Sequence, residues 1–312
     1  MRTMFMHRSA KAIYILGIML CLVPGVSPAV ALSLGIIYAL MWKNPWPRVS
    51  ASGSRLLLQS AVVGLGFGLP LAQVWEVGRD SFSITLSGIL LTLTLGYLLG
   101  RMLHIPPRTT ILVSCGTAIC GGSAIAAIAP IVEAKNDEAA IALATVFTLN
   151  AVALLLFPVL GHLFGMGQEQ FGTWAGIAIH DTSSVVGAAA AYGDTALHQA
   201  TVVKLTRALW IVPLALAASS FSKAGGRARV PVFIVLFIAA AALHTLFPQA
   251  EPLWSWINRG AKILLVLSLF FVGSGLTRDL LQKVGARTFI QGTALWLCIS
   301  GLTLAGILGG VI

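Results

Sequence analysis

The chain has 312 residues, 57% of them hydrophobic and 10% charged, with a mean hydropathy of +0.92. Soluble domains carry about 25% charged residues, so this composition excludes a soluble globular protein and points to an all-α, polytopic membrane protein. The net charge of +10 is distributed between apolar runs, where it orients spans in a bilayer, and argues against a nucleic-acid partner.

Residues 1–11 are basic, with Arg2, Arg8 and Lys11. Residues 12–23 form a short apolar run closed by Pro24-Gly25. With the small residues that follow, 1–27 reads as a signal-like segment, taken here as a retained first helix. Further spans are predicted at 29–42, 56–75 and 81–100. Pro106-Pro107 blocks helix before a fifth span at 109–132. Spans at 139–162, 170–193, 196–220, 230–247, 260–277 and 288–312 follow, about eleven transmembrane helices in a single transporter domain over 1–312. Residues 249–258, with Trp254 and Trp256, read as an interfacial segment between the ninth and tenth. With the N-terminus in the cytoplasm, fourteen of the 20 Lys and Arg residues fall in cytoplasmic segments and four (Arg79, Lys135, Arg259, Lys262) on the other side. This bias predicts the acidic loop 133–138 outside and the basic loop 223–229 inside. Cys21, Cys115, Cys120 and Cys298 all fall in predicted spans, with neither a disulfide framework nor a close-spaced zinc pattern.

Two of these spans are unsuited to continuous helix. The fifth contains SCGTAICGGSAIAAIAP at 114–130, and glycine costs about 1 kcal/mol against alanine in a helix interior. The sequence predicts a stop near Gly116 and a restart near Gly122. Freed backbone of this kind is tolerated at membrane depth only where protein or a cavity satisfies it, and discontinuous helices carry the substrate site in many transporters. Gly121, Gly122 and Ser123 are therefore candidate substrate-binding residues. A tight helix-packing face is the simpler alternative. The seventh span contains HDTSSVVGAA at 180–189, also interrupted. Asp181 is the only acidic residue placed within a span, and an ionisable group there is costly enough to be a functional hypothesis. Asp181, with His180, is the candidate for proton coupling, and Thr182 and Ser183 for substrate binding; helix capping by Asp181, or a stabilising pair with Lys204 or Arg207, is the alternative. Lys204 and Arg207, three apart, share one helix face. Two cations facing one acid leave a surplus positive charge that an anion would balance, so both are candidate substrate ligands, Arg207 through its planar fork. Asn150, His162 and His244 are weaker candidates.

An internal repeat is sought between 54–78 and 261–285, or between the fifth span and a second break at Gly273-Ser274-Gly275; the sequence does not choose between them.

GTAICGGSAIAAIAPIV at 116–132, HDTSSVVGAA at 180–189 and VVKLTRALWIVPLAL at 202–216 resemble a family of bacterial inner-membrane proteins named for a proposed sulfate export. The resemblance extends over nearly the whole chain. It implies membership of the cation:proton antiporter and anion transporter superfamily, with inverted five-helix repeats and crossed broken helices. The expectation is a multi-pass inner-membrane secondary transporter for a small inorganic oxyanion, sulfate or sulfite, coupled to protons, with no cofactor and no metal. A homodimer is compatible with the sequence. The absence of a P-loop pattern argues against primary pumping. A sodium/proton antiporter using Asp181 and Lys204 is the rival reading. An intramembrane hydrolase using Ser183 or Ser184 with His180 is a remote one, since the spacing defines no triad geometry.

Overall fold

A computed structural model of the chain describes residues 2–23, 25–220, 231–277, 282 and 284–310. The basic loop with Lys223, Arg227 and Arg229, and Arg278 and Lys283 of the next, lie outside the described residues. Among those described, every regular element is helical, as expected of an all-α polytopic membrane protein. Five helices are long and apolar enough to cross a membrane: 71–102, 136–163, 194–218, 248–274 and 286–308. Three shorter apolar helices lie at 10–21, 28–41 and 232–246.

The chain divides into two compact units. Each draws on distant stretches of chain, so neither is marked by a linker.

The first unit comprises residues 1–73 and 232–280. It contains α1 (Arg2–Cys21), α2 (Pro28–Met41), α3 (Pro47–Gly66), α12 (Val232–Leu246) and α13 (Glu251–Ser274). Proline at the first turn begins α2 and α3, where its missing N–H is not needed. Helices α2 and α13 cross with almost no space between backbones: a Cβ on Gly35 would lie 2.3 Å from the Phe270 carbonyl oxygen, and one on Gly273 2.4 Å from that of Leu32. Small residues permit such crossings in membranes. Tyr14 of the signal-like first segment is buried in this core. Its hydroxyl bonds Ser50 Oγ at 2.6 Å and Ser274 Oγ at 3.0 Å, so 1–27 contributes to the packing of the unit. The stretch 249–258 is no separate interfacial segment. From Glu251 it is the first part of α13, with Trp254 stacked on Phe67 at 4.9 Å between centroids. Helix α13 is continuous to Ser274, so Gly273-Ser274-Gly275 marks a helix end and not a break within a span.

The second unit comprises residues 74–231 and 281–312. It holds most of α4 (Leu71–Met102), then α5 (Pro107–Ala118), α6 (Gly122–Ile128), α7 (Asn136–Leu163), α8 (Gln168–Ala178), α9 (Thr182–Tyr192), α10 (Asp194–Leu209), α11 (Ile211–Ser220) and α14 (Ala286–Leu308). Helices α10 and α11 are kinked at Trp210, where Pro213 cannot donate to the carbonyl of Leu209.

The predicted fifth and seventh spans do break where the glycines and polar residues lie, and at each break the chain turns back on itself. Arg108, at the start of α5, pairs with Glu133, beyond the end of α6, at 3.9 Å. In a straight helix those residues would be ~37 Å apart at about 1.5 Å per residue. The chain therefore enters as α5, turns at 119–121 and returns as α6. Leu112, Val113 and Cys115 pack with Ile125, Ile128 and Ile131 in one buried cluster between the two arms. The same geometry recurs in α8 and α9. Tyr192, ending α9, stacks on Phe171 at 3.8 Å and donates to the Met166 carbonyl at 2.6 Å. Gln168 Oε1 accepts from Thr195 N at 3.0 Å, where a straight helix would separate the two by ~40 Å. Both segments are re-entrant hairpins, not the crossed broken spans implied by the resemblance. Each arm is too short to span a bilayer, and the glycine-rich and polar turns leave the chain free to reverse.

The hairpins enter from opposite ends of the unit. The first has its base beside the end of α11: Thr110, Ile111 and Ile128 line a cavity of about 260 Å³ with Leu214, Ala217 and Ala218. The base of the second lies at the end of α7, where Gly161 packs against Phe171 and Tyr192. Hairpin plus following helix thus occurs twice, in opposite orientations. Residues 116–129 and 176–189 align without gaps at a spacing of sixty residues, identical at Gly116/Gly176, Ala118/Ala178, Ile119/Ile179, Ser123/Ser183 and Ala129/Ala189. This is the inverted repeat, and neither register anticipated from sequence matches it. The loop 133–138 lies at the same end as Arg108, opposite to expectation. Counting Lys135 with Arg108 changes the expected distribution of Lys and Arg residues from fourteen against four to fifteen against three.

A cysteine pair replacing Arg108 and Glu133 is expected to be joined by a short bifunctional thiol reagent in membranes. Failure to link, with each site separately reactive from opposite faces, would restore a spanning fifth segment.

Candidate functional site

The two hairpin tips meet in the interior of the second unit. A Cβ on Gly121 would lie 3.3 Å from Asp181 Cβ and 3.4 Å from Val146 on α7. Gly121 adopts φ +64° and ψ −122°, a region essentially closed to L side chains. Its N–H bonds the Gly116 carbonyl at 2.9 Å, which closes the tip. Gly122 is partly buried, with the Phe147 ring 2.9 Å from where a Cβ would stand, and Ser123 is exposed.

Arms α5 and α8 both end inside the protein, delivering carbonyls that no helical N–H satisfies. Lys204 and Arg207 on α10 meet them. Arg207 is 1% exposed. Its Nε donates to the Ala118 carbonyl at 2.6 Å and its Nη2 to that of Thr117 at 2.9 Å, while Nη1 donates to the carbonyl of Ile177 in the other hairpin. One guanidinium thus binds both tips. Lys204, 0% exposed, donates to the Ile179 carbonyl at 2.6 Å. Cations at helix C-termini also match the negative end of the helix dipole. Asp181 is close enough to Lys204 to act on its charge, but among the described residues neither cation forms an ion pair with it. Carbonyls at two helix ends, which composition does not display, are their partners.

Asp181 caps α9, its Oδ2 accepting from Ser183 N at 3.0 Å and from the Ser183 hydroxyl. The side chain remains partly accessible, whereas Thr182 and Ser183 are buried. His180 is buried, with neither ring nitrogen hydrogen-bonded. His162 stacks on Tyr192 at the hairpin base, away from the tips, and His244 pairs with Glu251 in the first unit.

Asn150, ranked low from sequence, lies at the centre. Its Oδ1 accepts from the backbone N–H of His180 at 3.1 Å and of Asp181 at 3.3 Å, satisfying the turn of the second hairpin. Its Nδ2 is buried without a partner, as is the Thr117 hydroxyl. The signal available in sequence was a lone amide at mid-span of α7, beside an apolar face of Leu143, Val146 and Phe147. No group of three or more His, Cys, Asp or Glu residues suited to a metal occurs among the described residues. Of the buried side-chain atoms at the tips without a hydrogen-bond partner, Asn150 Nδ2 is a donor, while the Thr117 hydroxyl and the His180 ring can donate or accept; Lys204 and Arg207 retain further N–H groups. The repeats contribute unequally: Cys120, Gly121 and Phe147 of the first correspond to His180, Asp181 and Arg207 of the second.

Residues 10–292 match the family model for conserved hypothetical protein 698. The chain is 52% identical over 288 residues to a UPF0324 membrane protein of Geobacter sulfurreducens, covering 92% of this chain and 93% of that one. It is 49% identical to one of Porphyromonas gingivalis, covering 91% and 87%, and 46% identical to one of Bdellovibrio bacteriovorus, covering 96% and 95%. No solved structure matches the chain.

Arg207→Lys is expected to orphan at least one buried carbonyl, costing about 1–3 kcal/mol for each, and so to lower the unfolding temperature in detergent. An unchanged unfolding temperature would show that the carbonyl bonds do not hold the tips. Gly121→Ala is expected to cost about 1–3 kcal/mol through its backbone conformation alone, measured in the same way, with Gly165→Ala at another positive-φ glycine in open space as the comparison for strain without a neighbouring tip.

Proposed function

The chain belongs to the conserved hypothetical protein 698 family of UPF0324 membrane proteins, and from that premise we propose that it is a secondary active transporter of a small inorganic oxyanion, of the sulfate or sulfite class, coupled to protons. The observation that carries this reading is the meeting of two oppositely entering hairpins at a buried, donor-rich centre. Discontinuous helices from inverted repeats, meeting near the midplane, are a recurrent transporter design. Lys204 and Arg207 outnumber Asp181, and their positive charge lies in a medium where Coulomb forces are weakly screened.

Roles follow from the geometry. Arg207 acts through its charge and by holding the tips together, since most of its donors already bind carbonyls. Lys204, with two N–H groups beyond its bond to Ile179, is the direct cationic ligand. Gly121 and Gly122 keep the first tip slim enough to leave room, and Ser123 adds an exposed hydroxyl. Thr182 borders the site, and Ser183 holds Asp181. Asp181, the accessible acid, carries the coupling proton beside His180. Protonating Asp181 removes the negative charge that competes with the anion, so anion binding strengthens as pH falls. The bacterial inner membrane, with the N-terminus and the base of the first hairpin facing the cytoplasm, accords with the fifteen-to-three distribution of basic residues. The function requires no cofactor, and the centre is read as a transport site, not an enzyme's.

Reconstituted protein is expected to move labelled sulfate or sulfite into proteoliposomes in response to an imposed proton gradient. Proton-coupled sodium flux indifferent to oxyanions would replace this reading with the antiporter. In Asp181→Asn, anion binding is expected to persist while losing its dependence on pH. A pH profile unchanged from wild type would leave Asp181 as a helix cap alone.

A further inference from the structure

We infer that Asn150 is a ligand-binding residue at the hairpin tips, a fixed hydrogen-bond donor that selects for an acceptor oxygen on the transported species. The inference rests on the oxyanion reading and deepens it.

An asparagine amide is ordinarily ambiguous, because its oxygen and nitrogen can exchange places by rotation. Here the backbone decides. His180 N–H and Asp181 N–H both point at one atom of the Asn150 side chain, at 3.1 and 3.3 Å. Two donors require an acceptor, so that atom is Oδ1. Reversing the amide would set its NH₂ group against two N–H groups and leave all of them unsatisfied. The orientation of Nδ2 is therefore locked by the turn of the second hairpin. The Asn150 side chain is 3% exposed, and Nδ2 has no hydrogen-bond partner. Buried polar atoms are seldom left so. The atom lies in a neighbourhood where Asn150 follows Val146 and Phe147 by one helical turn, and these pack against Gly121 and Gly122. Gly122, Ser123 and Asp181 retain exposure at the same tips, giving the site an accessible edge.

The chemistry of this donor is one-sided. An amide NH₂ donates and cannot accept. It cannot coordinate a metal cation, which requires oxygen or another lone pair, but it suits an oxygen of a sulfate-like anion. The same side chain therefore does two things: its oxygen completes the backbone of one tip, and its nitrogen reads the ligand. A substitution that preserves the first and reverses the second separates them.

Asn150→Asp does this. The new carboxylate can still accept both backbone N–H groups, while its second oxygen presents an acceptor and a negative charge where the NH₂ group stood. Sulfate and sulfite binding to purified protein, read by calorimetry, is expected to weaken by at least ~10-fold at neutral pH, the loss of one hydrogen bond to a charged group, with the unfolding temperature held close to wild type. Acidification protonates the introduced carboxyl, restoring an O–H donor, so the gap to wild type should narrow. Both proteins share His180, Asp181, Lys204 and Arg207 around this group, and Asn150→Asp combined with Asp181→Asn separates the introduced carboxyl from the native one. Asn150→Ser, smaller and able to accept one N–H but without a locked donor, is expected to lose affinity at every pH, and it serves as the test should Asn150→Asp not fold. Wild-type protein that binds oxyanions, with a folded variant binding them equally well, overturns the role of Asn150 alone. Wild-type protein that binds no oxyanion, but binds sodium with a response to Asp181→Asn, overturns the oxyanion reading and this inference with it.

Discussion

Two helices end in the middle of a membrane-embedded unit, and their terminal carbonyls have to be satisfied there. They are buried in the protein, where each unsatisfied group is expensive. The solution is a pair of cations one helical turn apart on α10. Arg207 reaches Thr117, Ala118 and Ile177, and Lys204 reaches Ile179. The cations are tolerated because the helix ends offer them oxygens and favourable dipoles, and the helix ends are tolerated because of the cations. The placement of the hairpin tips, the closeness of Gly121 to Asp181 and the accumulation of positive charge all depend on this exchange.

Because one guanidinium bonds to both hairpins, their tips form one assembly. Moving either hairpin alone would break charge-assisted bonds in a medium that offers no replacement. Asn150 adds a third tie, from α7 to the turn of the second hairpin. Both tips are thereby anchored to the long helix of one repeat or the other. Around this centre, glycine sets how near the backbones come. Gly96 and Gly100 admit Ser114 and Thr110 of the first hairpin against α4, and Gly172 and Gly176 admit α10 against the second. Gln291 of α14 adds a bond from its Nε2 to the Gly96 carbonyl at 2.9 Å, fixing α4 beside the first hairpin.

The inverted repeat shows how one scaffold yields an asymmetric site. Both halves keep glycine, alanine, isoleucine and serine at matching turn positions, because both must stop a helix, reverse and restart it. They diverge where chemistry rather than geometry is at stake. Gly121 stands where Asp181 does, and Phe147 where Arg207 does. Charged groups in both halves would crowd one low-dielectric space, and at these positions the charge is confined to the second repeat.

Much of this was legible in the sequence. Charge-free runs determined an all-α membrane protein, since this follows from local composition and the cost of burying charge. The two interruptions were also readable, because glycine and a polar cluster disfavour helix wherever they occur. The direction of the chain after each interruption was not. A helix that breaks and continues and one that breaks and returns have the same local sequence; only long-range contacts such as Arg108 with Glu133, or Tyr192 with Phe171, distinguish them. The partners of Lys204 and Arg207 were hidden for the same reason. Formal charges set Asp181 against them, whereas the backbone carbonyls that occupy them carry no sequence signature. Asn150 was one amide in an apolar helix until the fold placed two backbone N–H groups against its oxygen. Composition and propensity are properties of neighbouring residues, but a re-entrant turn and the donors gathered around it exist only once distant segments have packed.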